Sequence, residues 1–147
     1  MFSIIIPTFN NINYLKLCIK SIKKNSIYDH EIIIHINEGS DGTLEYVRKN
    51  NFICSYSKFN KGVCTAFNES VKLSTKKFIV LAHDDMYFCP NWDKVFVKEI
   101  SQVNKDKDFF MSGIMVQPFK SYINLDCGKT YEDFNEEKLL NEVNKIN

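Results

Sequence analysis

The chain has 147 residues, 44% apolar and 25% charged, the length and balance of one folded domain with a real hydrophobic core. Its net charge is +1 with basic residues scattered, which excludes the concentrated basic face of a nucleic-acid binder. No stretch is long and apolar enough to be a transmembrane segment, and the opening MFSIIIPTFN lacks the basic start and cleavage site of a secretory signal.

Residues 3–6 form a continuous apolar run that stops at Pro7, the pattern of a strand covered on both faces. Leu15, Cys18, Ile19 and Ile22 then recur at helical spacing, with Lys16, Lys20, Lys23 and Lys24 mainly on the other side. Asn11 or Asn13 is placed to cap that helix. Residues 31–36 read as a second buried strand. The dense turn signal Asn37-Glu38-Gly39-Ser40-Asp41-Gly42 follows it, and Thr43 opens a short helix carrying Leu44 and Val47. Residues 53–57 are a weaker strand. Asn60-Lys61-Gly62 turns into a helix expected to present Val63, Ala66, Phe67 and Val71 on one side.

Residues 78–82 are the third strong strand, ending at His83-Asp84-Asp85. A helix from Trp92 to Val103 is expected to turn Phe96, Ile100 and Val103 inward. Residues 109–116 are strand-like, and from Asn135 the spacing of Leu139, Leu140, Val143 and Ile146 predicts a last amphipathic helix. Strands alternating with helices imply an α/β fold with a mostly parallel sheet and helices on both faces. With no internal repeat or linker, the chain reads as a single domain over 1–147. The last helix has no Gly or Pro stop, so a continuation of the protein beyond Asn147 is expected.

In such a fold ligands sit beyond the carboxyl ends of the strands. Three groups of residues fall there. Asp84-Asp85 is the strongest: paired carboxylates at a strand end suit a hard divalent cation that also holds phosphate. An acidic turn in solvent is the bland alternative. Asn37 and Glu38 carry polar groups able to bond a base or ribose, against the alternative of a plain turn. The amides of Asn60-Lys61-Gly62 and the Lys61 charge are placed to face an anion, against that of a helix-opening turn. His83 adjoins the carboxylates, with a solvated His at least as good a reading. His35 and Trp92 read as structural. The five cysteines, Cys18, Cys54, Cys64, Cys89 and Cys127, are odd in number without CxxC spacing, which favours reduced thiols in a cytoplasmic protein. No GxxxxGK[ST] or GxGxxG occurs.

Taken together these segments resemble family 2 glycosyltransferases of GT-A fold, a Rossmann-like α/β/α sandwich. Ser3-Ile4-Ile5-Ile6-Pro7-Thr8-Phe9-Asn10 is similar to the family's SIIIPTYN, and Asn37 to Thr43 to its DDGSTDGT, one residue shorter. Asn60-Lys61-Gly62 with Ala66 and Asn68 resembles NxGxxxARN, and Val80 to Asp85 resembles xLDxDD. The resemblance implies that Pro7, Thr8 and Phe9 line a nucleotide base pocket and that Asn37 or Glu38 contacts base or ribose. It further implies that Gly62 lets the backbone approach the ligand closely, that Asp84 lies near ribose or metal, and that Asp85 binds a Mn2+ or Mg2+ ion holding the diphosphate. The implied partners are a nucleotide-sugar donor, with UDP the first choice, and a glycan or lipid-linked acceptor at the inner face of a membrane.

The departures are Asn37 for the first acidic position, Phe67 for the usual Arg, and Ala82 for the first Asp of the metal motif. An inverting member also needs a carboxylate base. Only 62 residues follow Asp85. Glu132-Asp133 reads as the acidic start of a helix, and the base is expected beyond Asn147. Two rivals stand beside the transferase: a nucleotide-sugar-binding module without activity of its own, and a sugar nucleotidyltransferase. The latter normally has a glycine-rich basic loop, whereas Ser3 to Asn13 contains no Gly, Lys or Arg.

Overall fold

The N-terminal isoleucine run becomes β1 (Phe2–Phe9), buried at every position from Phe2 to Thr8. In the computed structural model, which describes residues 1–103, 108–118 and 123–145, β1 lies between β2 (Glu31–Asn37) and β4 (Phe78–Leu81). β3 (Ile53–Ser57) pairs with the far side of β2, and every pairing is parallel. A strand flanked on both sides and covered on both faces has no polar face to alternate with, which is why the run is continuous. The strand does not end at Pro7 as its sequence suggests. Ile5 O accepts from Ala82 N at 3.0 Å, so Pro7, two residues on, points its missing N–H to the same side. There β4 has already ended at Leu81, so the proline interrupts no ladder bond.

The strand order β3-β2-β1-β4 records a reversal. The chain steps outward from β1 to β3 and then crosses back to β4 on the other side of β1. Right-handed crossovers therefore put α1 (Ile12–Asn25) and α2 (Thr43–Lys49) on one face and α3 (Val63–Val71) on the other. Side chains agree: a Cβ on Gly39 would meet both Ile36 Cγ2 and Leu44 of α2, whereas His35, one residue away on β2, joins Ser55 and through it Ser70 of α3.

The expected inward stripe of α1 is buried, with Leu15 and Cys18 at 0% exposure and Ile19 and Ile22 at 2% and 1%. Each such aliphatic side chain contributes about 2 kcal/mol of transfer free energy. Asn11 holds the cap position of α1 but makes no capping bond with its side chain; the Asp41 carboxylate accepts from Ile12 N instead, at 2.8 Å. In α3 the buried residues are Ala66 and Ser70, while Val63 is 44% exposed. The expected four-residue apolar stripe is thus narrower, because part of this face meets a polar cluster.

Residues Met1–Lys94 and Val95–Asn147 form two compact units. In the first, Trp92 donates its indole N–H to Ser26 Oγ at 3.0 Å and packs on Phe2, His30 and Phe88. In the second, α4 (Trp92–Gln102) continues with Phe96, Ile100 and Val103 half-buried. Among the described residues, the strand-like run 109–116 pairs at its end alone, as β5 (Val116–Gln117) parallel to β6 (Ile123–Asn124). Phe110, Ile114 and Met115 stay 87%, 69% and 54% exposed; hydrophobic residues alone do not make a strand without a ladder partner. Glu132-Asp133 is not the start of a helix: it forms a turn in which Asp133 accepts from Lys129 N and Thr130 N. α5 (Glu136–Asn144) starts after it, capped by Asn135 accepting from Lys138 N at 2.8 Å, with Leu139 buried. Ile146 lies outside the described residues.

Candidate functional site

The carboxyl ends of the parallel strands form one rim on the first unit. Registers pair Phe9 with Asn37 and Asn37 with Ser57, so the last residues of β1, β2 and β3 stand side by side. β4 ends nearer the middle of β1, opposite Ile5, and its continuation 82–85 runs beside the rest of that strand. The reversal of strand order opens a crevice between β1 and β4. Its two walls are joined there: Thr8 Oγ1 donates to Asp84 Oδ2 at 2.6 Å, across 76 residues of sequence.

Asp84 is half-buried and Asp85 is exposed. Burial pushes the Asp84 carboxyl above its ordinary value, and the Asp85 charge adds to the rise, while hydrogen bonds from Thr8 and the Asn11 side chain and the nearby His83 oppose it. Asn11 thus leaves its own helix end to steady the carboxylate. His83 is exposed and meets Phe67 edge to face at 5.9 Å. Ala82, where the family pattern has an acid, is fully buried and offers no ligand.

Among the described residues no three His, Cys, Asp or Glu side chains converge as a cage. A pair of adjacent carboxylates fits a hard cation such as Mg2+ or Mn2+ that completes its shell with phosphate oxygens and water. The residues present therefore suit a cation shared with a ligand rather than a permanent structural ion.

The second part of the rim is locked by long-range hydrogen bonds. Asn37, only 3% exposed, accepts at Oδ1 from Lys61 N at 2.9 Å. Glu38 N donates to Ser57 O at 2.8 Å, and Ser40 Oγ donates to Glu38 Oε1 at 3.0 Å. Glu38 has φ 65° and Asn10 φ 46°. A non-glycine residue in that left-handed region costs about 1–3 kcal/mol and survives where surrounding bonds impose it. Asn10 Oδ1 accepts from Ser40 N at 2.9 Å, and Asp41 accepts from both Ile12 N and Thr43 N. Gly62 has φ 79° and ψ 164°, a conformation all but restricted to glycine. A Cβ there would meet nothing within 4 Å, so its backbone faces open space.

All the residues singled out in the sequence, Pro7, Thr8, Phe9, Asn37, Glu38, Lys61, Gly62, Asp84 and Asp85, lie at this edge or in the loops that leave it. Pro7 and Thr8 are buried, Phe9 is 46% exposed, and the Lys61 side chain is exposed. Sequence reasoning missed the support beneath them. His35, 1% exposed, bonds Ser55 Oγ at 2.7 Å and Ser57 Oγ at 3.0 Å, and also reaches the Asn37 side chain. Ser55, Ser57 and Ser70 look incidental in the sequence; the only signal was a lone His among strand isoleucines, which had to find polar partners.

A family model, described as glycosyl transferase family 2, matches residues 3–123. An uncharacterized glycosyltransferase of Rickettsia prowazekii (strain Madrid E) is 31% identical over 140 residues, covering 93% of this chain and 43% of that protein. Chondroitin synthase of Pasteurella multocida (strain Pm70) is 28% identical over 141 residues, covering 93% of this chain and 14% of that protein. The chain thus spans less than half the length of these curated relatives. Among solved structures, S. aureus TarS 1-349 superposes with TM-score 0.62 at 24% identity over 69% of this chain and 32% of that one. The same protein has been solved in complex with UDP. The mannosyltransferase PcManGT of Pyrobaculum calidifontis, in complex with GDP-Man and Mn2+, gives TM-score 0.52 at 18% identity over 59% of this chain and 28% of that one. These likenesses establish the GT-A fold. With the family model covering most of its length, the chain belongs to glycosyl transferase family 2.

Proposed function

We propose that the rim binds a nucleotide-activated sugar, with UDP-sugar the first candidate, for inverting transfer to an acceptor hydroxyl of a glycan or lipid-linked molecule. The observation that carries the reading is the Thr8–Asp84 bond, which sets a carboxylate pair beside the β1 end and in the crevice of the sheet. Both compact units would belong to one GT-A-type domain.

In this reading Pro7 and Phe9 flank the base, Asn37 and Glu38 present polar groups to base or ribose, and the open backbone at Gly62 with the Lys61 ammonium meets the phosphates. Thr8 and Asn11 hold Asp84 toward the ribose, and Asp85 with Asp84 is placed to ligate Mn2+ or Mg2+. Such a cation, when bound, offsets charge on the departing nucleoside diphosphate. The acceptor oxygen forms a bond to the anomeric carbon as the carbon–oxygen bond to the diphosphate breaks. The hydroxyl proton passes to a carboxylate base outside this rim. Preorganised charge at the leaving group supplies much of the rate gain.

A second reading is a binding module without transfer activity of its own; in its favour, the Asp133 carboxylate downstream of the carboxylate pair is committed to the Lys129 and Thr130 amides and is not free to act as a base. Calorimetric titration with UDP, with and without Mn2+ or Mg2+, tests both. Metal-dependent binding lost on Asp85→Ala supports the site; binding that ignores both the metal and that substitution refutes it. Transfer of labelled sugar separates enzyme from module.

A further inference from the structure

The inward side of α1 is not wholly apolar. Cys18, Ser21 and Asn25 follow one another at steps of three and four along one line of the helix, and all three are buried. A buried hydroxyl or amide is costly unless it is bonded, and each of these side chains bonds into the same stretch of chain, residues 83–88. The Cys18 thiol donates to His83 O at 3.5 Å. Ser21 Oγ accepts from Phe88 N at 2.9 Å and donates to Cys18 O at 2.7 Å, so its single proton is committed as well. Asn25 Nδ2 donates to Phe88 O at 2.6 Å and to Tyr87 Oη at 3.2 Å. Both polar backbone groups of Phe88 therefore end on α1 side chains.

The same stretch opens with the carboxylate pair. His83 O also accepts from Met86 N at 3.3 Å, which puts Asp84 and Asp85 at the two middle positions of a turn. Thr8 braces Asp84 directly. Asp85 is exposed, so the place of its carboxylate depends on the backbone of the turn. That backbone is anchored at both ends: Ala82 N donates to Ile5 O in the sheet at 3.0 Å, and Phe88 is clamped to α1.

Resting on the nucleotide and metal reading above, we propose that Ser21 and Asn25 are positioning residues for the carboxylate pair. By clamping Phe88 they fix the turn, so that Asp85 meets the cation without rearrangement of the chain. Groups held in place beforehand lose less binding free energy to ordering when the ligand arrives. Supporting residues behind metal-binding carboxylates act in this way without touching the ion. The clamp is therefore present before any ligand, and its removal weakens the metal-dependent part of binding while the fold persists.

Two measurements on the full chain test this. Hydrogen exchange of the ligand-free wild type should find the Phe88 amide slowed by at least about a hundredfold; a faster rate means that no clamp is set in advance and overturns the proposal. Calorimetric titration with UDP, with and without Mn2+, then compares wild type, Ser21→Ala, Asn25→Ala and Ile19→Val, with thermal melts to verify folding. Ser21→Ala and Asn25→Ala should each weaken Mn2+-dependent binding about tenfold, the low end for residues that support a metal site, and leave metal-free UDP affinity unchanged. Ile19→Val trims a buried side chain on the same helix; it should lower the melting temperature and leave both affinities as in wild type. If the Ser21 and Asn25 variants bind like wild type, or Ile19→Val weakens binding as much as they do, the proposal is overturned. In both cases wild type still binds with Mn2+ and the site reading stands. If wild type shows no Mn2+-dependent binding, the site reading itself falls and takes this proposal with it. One unfolded variant leaves the other to decide, and the exchange rate needs neither.

Discussion

Replacing Thr8 by Val keeps the shape of a buried residue and deletes only the hydroxyl that donates to Asp84 at 2.6 Å. A hydrogen bond to a charged partner contributes about 1.5–3 kcal/mol, against about 1 kcal/mol for a neutral pair. Burial holds the Asp84 carboxyl above its ordinary value, and the Thr8 bond limits that rise. With the folded pKa above the unfolded one, ionised Asp84 costs stability above its folded pKa, and the cost vanishes as pH falls below the unfolded value. The Thr8 bond reduces this cost, so the Thr8→Val penalty is greatest when Asp84 is ionised. Urea unfolding at neutral pH should show a loss of about 2 kcal/mol, a midpoint shift of about 1 M at an m-value of about 2 kcal/mol/M. Below the Asp84 titration the loss should shrink to about 1 kcal/mol. A Thr8→Val/Asp84→Asn cycle should recover the difference as a coupling energy. A penalty that is pH-independent, or under about 0.5 kcal/mol throughout, would refute the reasoning that this bond braces the carboxylate.

Other outcomes follow from separate parts of the molecule. Asp93 is fully buried and accepts from Ile27 N, Tyr28 N, Lys94 N and His30 Nε2. Asp93→Ala strands those donors and should cost about 3 kcal/mol or more by chemical denaturation at pH 7. Burial pushes the Asp93 carboxyl up, but the Tyr28, His30, Ile27 and Lys94 bonds hold it below its ordinary value. The ionisation-linked part of its stabilisation is therefore present above the unfolded pKa and lost as pH falls through the folded one, so the gap between variant and wild type should narrow in acid. Gly39→Ala places a Cβ 2.7 Å from Ile36 Cγ2 at φ +73°. A loss of about 1–3 kcal/mol should appear in thermal melts. Burial raises the Cys18 thiol to about 12, helped by Asp84 and Asp85, whereas Cys64 is exposed. Iodoacetamide at pH 8 followed by mass mapping should label Cys64 in the native state and Cys18 only after unfolding.

Much of the frame was legible in the sequence because it depends on local pattern. The isoleucine runs of β1 and β2, short and β-branched, read as strands sealed on both faces, and the 3.6-residue spacing of Leu15, Cys18, Ile19 and Ile22 marks the buried side of α1. The strand ends are marked by their turn residues, so the rim and its polar residues could be named in advance. The second unit was harder to read. Phe109 to Met115 is as apolar as a strand, yet among the described residues the ladder takes in only Val116 and Gln117, and strand pairing is a property of two segments, not one.

Only the tertiary structure decided which polar groups serve each other. Asn11 is spaced as a helix cap but bonds Asp84, while Asp41, 29 residues along from Ile12, bonds that helix end instead. Pro7 could continue a central strand because β4 ended before its missing N–H was needed. Asn37 was a polar residue at a strand end until its oxygen took Lys61 N and tied the end of β2 to the loop before α3. A sequence fixes which atoms can donate or accept; which are already satisfied, and which are left for a ligand, depends on contacts between residues far apart along the chain.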